Sequence, residues 1–315
     1  GNQNIDFSPE EMDKLRTYVE QGGIILGNAD CNALAFIDSF KKIGTRLFPA
    51  YEWKPLPDDH PLFKQNYQRA SWKVMPKVLA LTNEARILMI VIFDDPAKSW
   101  QLQTYHGKEV FHQLPANLFY YAMERSTLRA KGETYIVEID PKAKTTRSLK
   151  IARLEYAGNW NPEPGGWRRL ANIMHNERET DLVIEQVKLG TGKLDKTFAV
   201  AHLTGTGAFN LTAAEQAELK KYLSDGGTLL VDSCGGDTAF AAKAEDMLKS
   251  LLGQSGEIPV LAPEHAVWKA GTQIDQVGWR YFAKPKVGWQ LKTPQIRGVE
   301  QNGRVVAFFS KEDLS

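Results

Sequence analysis

The chain has 315 residues, of which 43% are hydrophobic and 24% are charged, a composition typical of an ordinary globular protein with about two domains. The formal net charge of +1 excludes a basic surface for nucleic acid, and no apolar run has the length of a membrane span. Two cysteines far apart in sequence predict neither a disulfide framework nor a zinc site, and we expect no metal and no other cofactor.

The first half predicts a helix, strand, turn and helix, followed by a hairpin. Ser8 and Glu11 have the spacing of a capping box, and Gly22 with Gly23 ends the helix that it opens. The later predicted elements are strand 24–27, helix 33–43, a proline-rich loop at 47–63, hairpin 78–93 and a closing helix at 111–129.

The second half alternates strands and helices. The predicted elements are strand 149–156, helix 167–175, strands 182–189 and 198–203, a helix opened by Thr212, strand 228–231, a helix from residue 239 and hairpin 296–309. Such alternation favours strand–helix–strand units and therefore a largely parallel sheet.

The two halves repeat one another without gaps at a spacing of 204 residues. The matching pairs are Glu11 and Glu215, Leu15 and Leu219, Tyr18 and Tyr222, Gly22 and Gly226, Gly23 and Gly227, Leu26 and Leu230, Ala35 and Ala239, and Phe36 and Phe240. We therefore predict two homologous domains. Tyr18 and Tyr222 should be buried equivalents with tethered hydroxyls, because each lies on the apolar stripe of its helix.

The predicted boundaries are a diverged and partial domain at 1–130, a connection at 131–148 and a second domain at 149–315. The first domain lacks the opening strand, helix and strand of the second, and the second lacks a closing helix, so we expect a truncated C-terminus. The chain also begins almost at a helix cap. Export followed by removal of a signal peptide and a cytoplasmic location both remain open.

Several segments of the second half together resemble one bacterial family, the domain of unknown function number 4159. They are GNWNPEPGGW, LTGTGAF, LKKYLSDGGTLLVDSCGGD, PEHAVW and RVVAFFSKEDLS. The family is similar in fold to the class I glutamine amidotransferase-like superfamily. The resemblance thus implies a flavodoxin-like, three-layer α/β sandwich with a mostly parallel sheet in two homologous domains, the first copy diverged. It implies no reaction.

Cys234 lies on the turn between a strand and a helix, where the amidotransferase superfamily has its nucleophile. A helix N-terminus lowers a thiol pKa, and the backbone N–H groups of Gly235 and Gly236 could approach an oxyanion. His265 would then be the base and Asp237 its orienting acid, or Glu264 in place of Asp237. This cysteine-dependent hydrolase or amidase is the alternative hypothesis.

The favoured hypothesis is a non-catalytic module in which Cys234 is structural, because the G-x-C-x-G pattern of those enzymes is absent. Its ligand is an unknown small molecule or a protein. Trp160 and Trp167 beside Arg168 and Arg169 are typical either of a platform for planar or anionic partners or of side chains that cover one edge of the sheet. We expect a pocket with Cys234, Asp232 or Gly205 in its wall, at the carboxyl edge of the sheet. The predicted ligand-binding residues are Asp232, Gly235, Gly236, Thr204, Gly205, Thr206, Gly207, Trp160 and Trp167.

Overall fold

The computed structural model describes residues 1–123 and 136–314, and the chain divides into two compact α/β units. Unit 1 is Gly1–Glu133 and unit 2 is Thr134–Ser315. The predicted connection at 131–148 and the predicted closing helix at 111–129 lie partly outside the described residues. None of the helices in the described ranges has the length and apolar character that crossing a membrane requires.

Unit 1 has a four-stranded sheet in the order β1-β4-β3-β2. Its elements are α1 Pro9–Glu20, β1 Ile25–Asn28, α2 Leu34–Leu47, β2 Trp53–Lys54, β3 Val78–Thr82, β4 Ile87–Ile92, α3 Pro96–Gln101 and α4 Glu109–Ala122. Strand β1 is parallel to β4, whereas β3 is antiparallel to it. Every residue of β4 is buried, which explains why its sequence is continuously apolar.

Unit 2 has a six-stranded, mostly parallel sheet in the order β6-β5-β7-β8-β10-β9. Its elements are β5 Arg147–Glu155, α5 Gly165–Arg178, β6 Thr180–Lys188, β7 Phe198–Gly205, α6 Ala213–Ser224, β8 Leu229–Ser233, α7 Thr238–Leu252, α8 Lys284–Val287, β9 Arg297–Gln301 and β10 Arg304–Ser310. Only β9 is antiparallel to its neighbour among these strands. The parallel strands bring their carboxyl ends to one edge of the sheet.

The repeat predicted from the sequence is present in the strand order of the two sheets. In unit 1, β1 is parallel to β4 and β4 is antiparallel to β3; in unit 2, β8, β10 and β9 have the same relation. A capping box opens α1 at Ser8 and α6 at Thr212. Arg86 donates to the carbonyl of Gly23 (3.0 Å), as Arg304 does to that of Gly227 (2.8 Å). In both units an arginine beside the hairpin strand thus bonds to the turn that follows the equivalent helix.

The prediction that both repeat tyrosines are buried is wrong for unit 1. Tyr222 is fully buried, and its hydroxyl donates to the carbonyl of Phe198 on β7 at 3.1 Å. Tyr18, in contrast, is 53% exposed. The reason is that β1 is the edge strand of its sheet, whereas β8 has β7 beside it to cover the tyrosine.

This difference supplies a matched pair of substitutions. We expect Tyr222→Ala to lower the free energy of unfolding of unit 2 by about 3–5 kcal/mol, the usual cost of deleting a buried aromatic ring. Tyr18→Ala should cost less than about 1 kcal/mol, because surface substitutions rarely cost more. Denaturant unfolding followed by amide hydrogen exchange in each unit measures both values. Equal losses for the two variants would contradict the burial assignment.

Candidate functional site

The sheet of unit 2 has one apolar face and one face with buried polar groups. The apolar face carries alternating residues such as Leu154 and Leu203, which belong to the main hydrophobic core together with residues of α6 and α7. Because side chains alternate along a strand, Arg153 of β5 and His202 of β7 lie on the other face. These two residues are direct cross-strand neighbours, and both are buried.

A continuous set of hydrogen bonds runs along this polar face. The His202 Nε2 atom lies 2.5 Å from Oδ1 of Asp232, a residue of β8 that is 2% exposed. Two donors converge on the other ring nitrogen, Nδ1: the indole N–H of Trp167 and Nη1 of Arg153, each at 2.8 Å. Arg153 also donates through Nη2 to Oδ1 of Asn161. We call Asp232, His202, Arg153, Trp167 and Asn161 the polar chain.

The partners of His202 determine its protonation. Indole and guanidinium groups only donate, so Nδ1 must be an acceptor and the proton of the neutral ring is on Nε2, from which it is donated to Asp232. Burial lowers the pKa of His202 in spite of the nearby Asp232 carboxylate, which agrees with a neutral ring. Burial would raise the pKa of Asp232, but the hydrogen bond from His202 holds that pKa below its ordinary value. The ring therefore has no free lone pair with which to accept a proton.

Arg153 remains a cation inside this face. Burial lowers its pKa to about 10, which still leaves the guanidinium charged at neutral pH. The Asp232 carboxylate opposes that effect from the far side of the His202 ring. The polar chain is thus a charge pair separated by a neutral imidazole.

Arg153 and Trp167 line a cavity of about 350 Å³ between α5 and the strands β5 and β6. Its polar lining residues are Arg153, Asn161, Arg168, Asn172 and Gln186. Its other lining residues are Trp160, Pro164, Trp167, Ala171 and Ile184. We call this space the α5 cavity. No residue of α5 is fully buried, so the helix covers the sheet loosely enough to leave room for a ligand.

The turn after β8, where the sequence predicts the site, is closed to a ligand. Cys234 is 2% exposed, and burial, followed by the nearby Asp313 carboxylate, raises the pKa of its thiol far above the ordinary value. The Gly235 N–H donates to Oδ2 of Asp313 at 2.8 Å, so this possible oxyanion donor already has a carboxylate partner. In unit 1 the N–H of Cys31 donates to Asp95 in the same way, also at 2.8 Å. The contact is therefore a structural feature of both units.

His265 is not brought to Cys234. It caps the short 3₁₀ helix Ala266–Lys269, and its Nε2 atom lies 4.0 Å from the carboxylate of Glu300. Glu300 pairs with Val305 at the start of β10, and therefore lies at the edge of the sheet where the parallel strands begin. Cys234 follows β8 and lies at the opposite edge, where these strands end. The Asp237 carboxylate is also engaged elsewhere, because it caps α7 by accepting the N–H of Phe240 at 2.8 Å.

The strand end 204–207 lies beside the turn after β8, as the parallel order predicted. Thr204 pairs with Asp232, and its hydroxyl donates to the Asp232 carbonyl at 3.0 Å. The segment from Tyr156 to Asn159 packs over this edge, since a Cβ on Gly205 would lie 2.1 Å from the Tyr156 hydroxyl and Thr206 bridges to Asn159. Glycine is required here for close packing.

The expectation for the wall of the pocket is therefore wrong for the α5 cavity. Its lining includes Trp160 and Trp167, but it does not include Cys234, Asp232 or Gly205. Cys234 and Asp232 are both buried, and Asp232 is linked to the cavity wall only through His202. Sequence reasoning missed Arg153 and His202. Their signal was one polar residue within a short apolar stretch of a strand, Arg153 within residues 151–154 of β5 and His202 within residues 198–203 of β7.

The protonation of His202 can be measured directly. In ¹⁵N NMR spectra at pH 7 we expect its ring to be neutral with the proton on Nε2, because both neighbours of Nδ1 donate. It should take up a second proton only below the ordinary histidine value of about pH 6.5. His202→Gln identifies the signals by their loss. An imidazolium at pH 7 would contradict the assignment of donors.

The chain was also compared with known proteins. The model of the family described as "Domain of unknown function (DUF4159)" matches residues 1–133 and 150–315, which fits a tandem arrangement of the two units. The comparison with curated proteins produced no match. Since the two matched segments cover nearly the whole sequence, the chain belongs to the DUF4159 family.

Proposed function

We propose that unit 2 is a non-catalytic module that binds a small molecule in the α5 cavity, on a flavodoxin-like sandwich of the class I glutamine amidotransferase-like type. The observation that carries this proposal is the double acceptance at His202 Nδ1. A histidine that holds two side chains of a cavity wall orients that wall. It is not prepared to move a proton.

The same bonds support binding on energetic grounds. Arg153 and Trp167 would otherwise lose rotamer freedom when a ligand orders them, at a cost of about 0.5–1.5 kcal/mol for each side chain. His202 holds both in place before any ligand arrives, and Asp232 holds His202. A preorganised wall of this kind favours affinity for a ligand.

The cysteine-dependent hydrolase receives less support from the geometry. Nucleophilic catalysis needs a thiolate and a base within hydrogen-bond reach of it. The Cys234 thiol is buried with a raised pKa, and His265 contacts the opposite edge of the sheet. His202 bonds to Asp232, two residues before Cys234, but both of its ring nitrogens already have partners.

Thiol labelling separates the two hypotheses, and the chain contains its own control. Cys31 is exposed and Cys234 is buried, so at neutral pH we expect Cys31 to be modified rapidly and Cys234 only on unfolding. Labelling of the Cys31→Ser variant isolates Cys234. Rapid modification of folded Cys31→Ser, with a rate that titrates below about pH 8.5, would favour the hydrolase.

Ligand binding in the cavity is tested by filling it. Ala171 lines the α5 cavity, so Ala171→Phe should abolish the binding of small aromatic fragments detected by saturation-transfer NMR. Ala217→Phe, on the exposed side of α6, introduces the same side chain away from the cavity and should leave binding unchanged. If no fragment binds the wild-type protein, or if both variants behave alike, the proposed site is wrong.

A further inference from the structure

The charges around the α5 cavity point to the class of its ligand. We infer that the cavity takes a small anion with a flat aromatic body, such as an aromatic carboxylate, and that Arg153 binds the anionic group. This inference rests on the proposed function and adds the chemistry of the ligand.

The lining of the cavity is cationic. It contains the guanidinium groups of Arg153 and Arg168 and the side-chain amides of Asn161, Asn172 and Gln186, and no carboxylate is among these lining residues. Side-chain amides and guanidinium groups donate hydrogen bonds, and a guanidinium fits a carboxylate in a bidentate way. A cationic ligand would meet no opposite charge in this wall.

Arg153 has capacity left for a ligand. In the described part of the chain its bonds go to two uncharged acceptors, His202 Nδ1 and Asn161 Oδ1, and a guanidinium has five N–H groups. The carboxylate that balances its charge, Asp232, is on the far side of the His202 ring. A buried cation whose balancing charge is this remote gains from a direct anionic partner, because electrostatic attraction is stronger in a buried site than in water.

The start of α5 adds to this positive potential. Pro164, Trp167 and Arg168 line the cavity, so the first turn of this 14-residue helix belongs to its wall. Pro164 is the N-cap and provides no side-chain cap. The positive end of the helix dipole and its first N–H groups therefore favour an anion beside Arg153.

The remaining walls favour a flat apolar body. Trp160 and Trp167 contribute indole rings, and Ile184 and Ala171 contribute aliphatic surface. The Trp167 N–H is held by His202, which fixes the orientation of its ring. A volume of about 350 Å³ is near the lower end for ligand cavities, so it suits a compound with one or two rings.

The test uses the full chain, isothermal titration calorimetry and four probes: benzoate, benzamide, cyclohexanecarboxylate and inorganic phosphate. Benzamide has the shape of benzoate without the charge, and cyclohexanecarboxylate has the charge without the flat ring. We expect benzoate to bind at least tenfold more tightly than either of these two probes, and phosphate to bind more weakly than benzoate.

Variants then assign the anionic contact. Arg153→Met should remove the preference for benzoate over benzamide, with circular dichroism to show that the variant is folded. Arg168→Gln is the second variant, because Arg168 is exposed and can be changed with little effect on folding; it should weaken benzoate binding several-fold. Arg169→Gln is the matched control, since Arg169 is the next residue but is not part of the cavity lining, and it should leave benzoate binding unchanged.

The outcomes separate this inference from the proposed function. If benzamide binds as tightly as benzoate and Ala171→Phe removes both, the anion inference is wrong and the binding module stands. Tighter binding of phosphate or cyclohexanecarboxylate than of benzoate would overturn the inference that the ligand has a flat aromatic body. Loss of benzoate binding in Arg169→Gln, or its persistence in both Arg153→Met and Arg168→Gln, would overturn the assigned contact. If no probe shows binding that Ala171→Phe removes, both proposals fail.

Discussion

The buried polar face of the sheet in unit 2 depends on the hydrogen bonds of the His202 ring. A buried carboxylate and a buried guanidinium would each be costly without partners, and here a neutral imidazole connects them by two hydrogen bonds. Trp167 joins the same nitrogen from α5, so the helix is attached to the sheet by a polar contact although none of its residues is fully buried. The space left beneath α5 is the cavity, and the polar chain keeps its wall in place.

Unit 1 shares part of its framework of strands and helices with unit 2, but its residues differ from those of the polar chain. The position of Asp232 in the repeat is taken by Asn28, whose side-chain amide donates to Asp30 (2.8 Å) and Asp95 (3.1 Å). Its β1 is an edge strand, so within residues 1–123 the unit has no counterpart of β7 to carry a residue like His202. What the two units keep in common is the scaffold: the capping boxes, the arginine ties and the carboxylate that accepts an N–H from the turn. The two units therefore share this scaffold, whereas Asn28 replaces the carboxylate of Asp232 in unit 1.

The turn after β8 illustrates how a position in a fold can suggest chemistry that its environment opposes. Cys234 follows a parallel strand and precedes a helix, which is a favourable place for a nucleophile. Its thiol is nevertheless buried beside Asp313, and that carboxylate accepts the neighbouring Gly235 N–H. A negative charge beside the sulfur opposes ionisation. The turn is therefore better suited to stabilising the edge of the sheet than to catalysis.

The sequence by itself determined most of the local elements and the internal repeat, because capping boxes, glycine helix ends and apolar periodicity act over a few residues. The short elements β2, α3 and α8 were not predicted. It also predicted Trp160 and Trp167 as ligand residues, and both line the α5 cavity. Only the tertiary structure decided which polar side chains meet, since Arg153, His202 and Asp232 come from three different strands and their contact depends on strand order and register. It also decided that Tyr18 is exposed and Tyr222 is buried, although both lie on the same helical pattern. Burial depends on the neighbouring strand, and no local pattern specifies whether that strand is there.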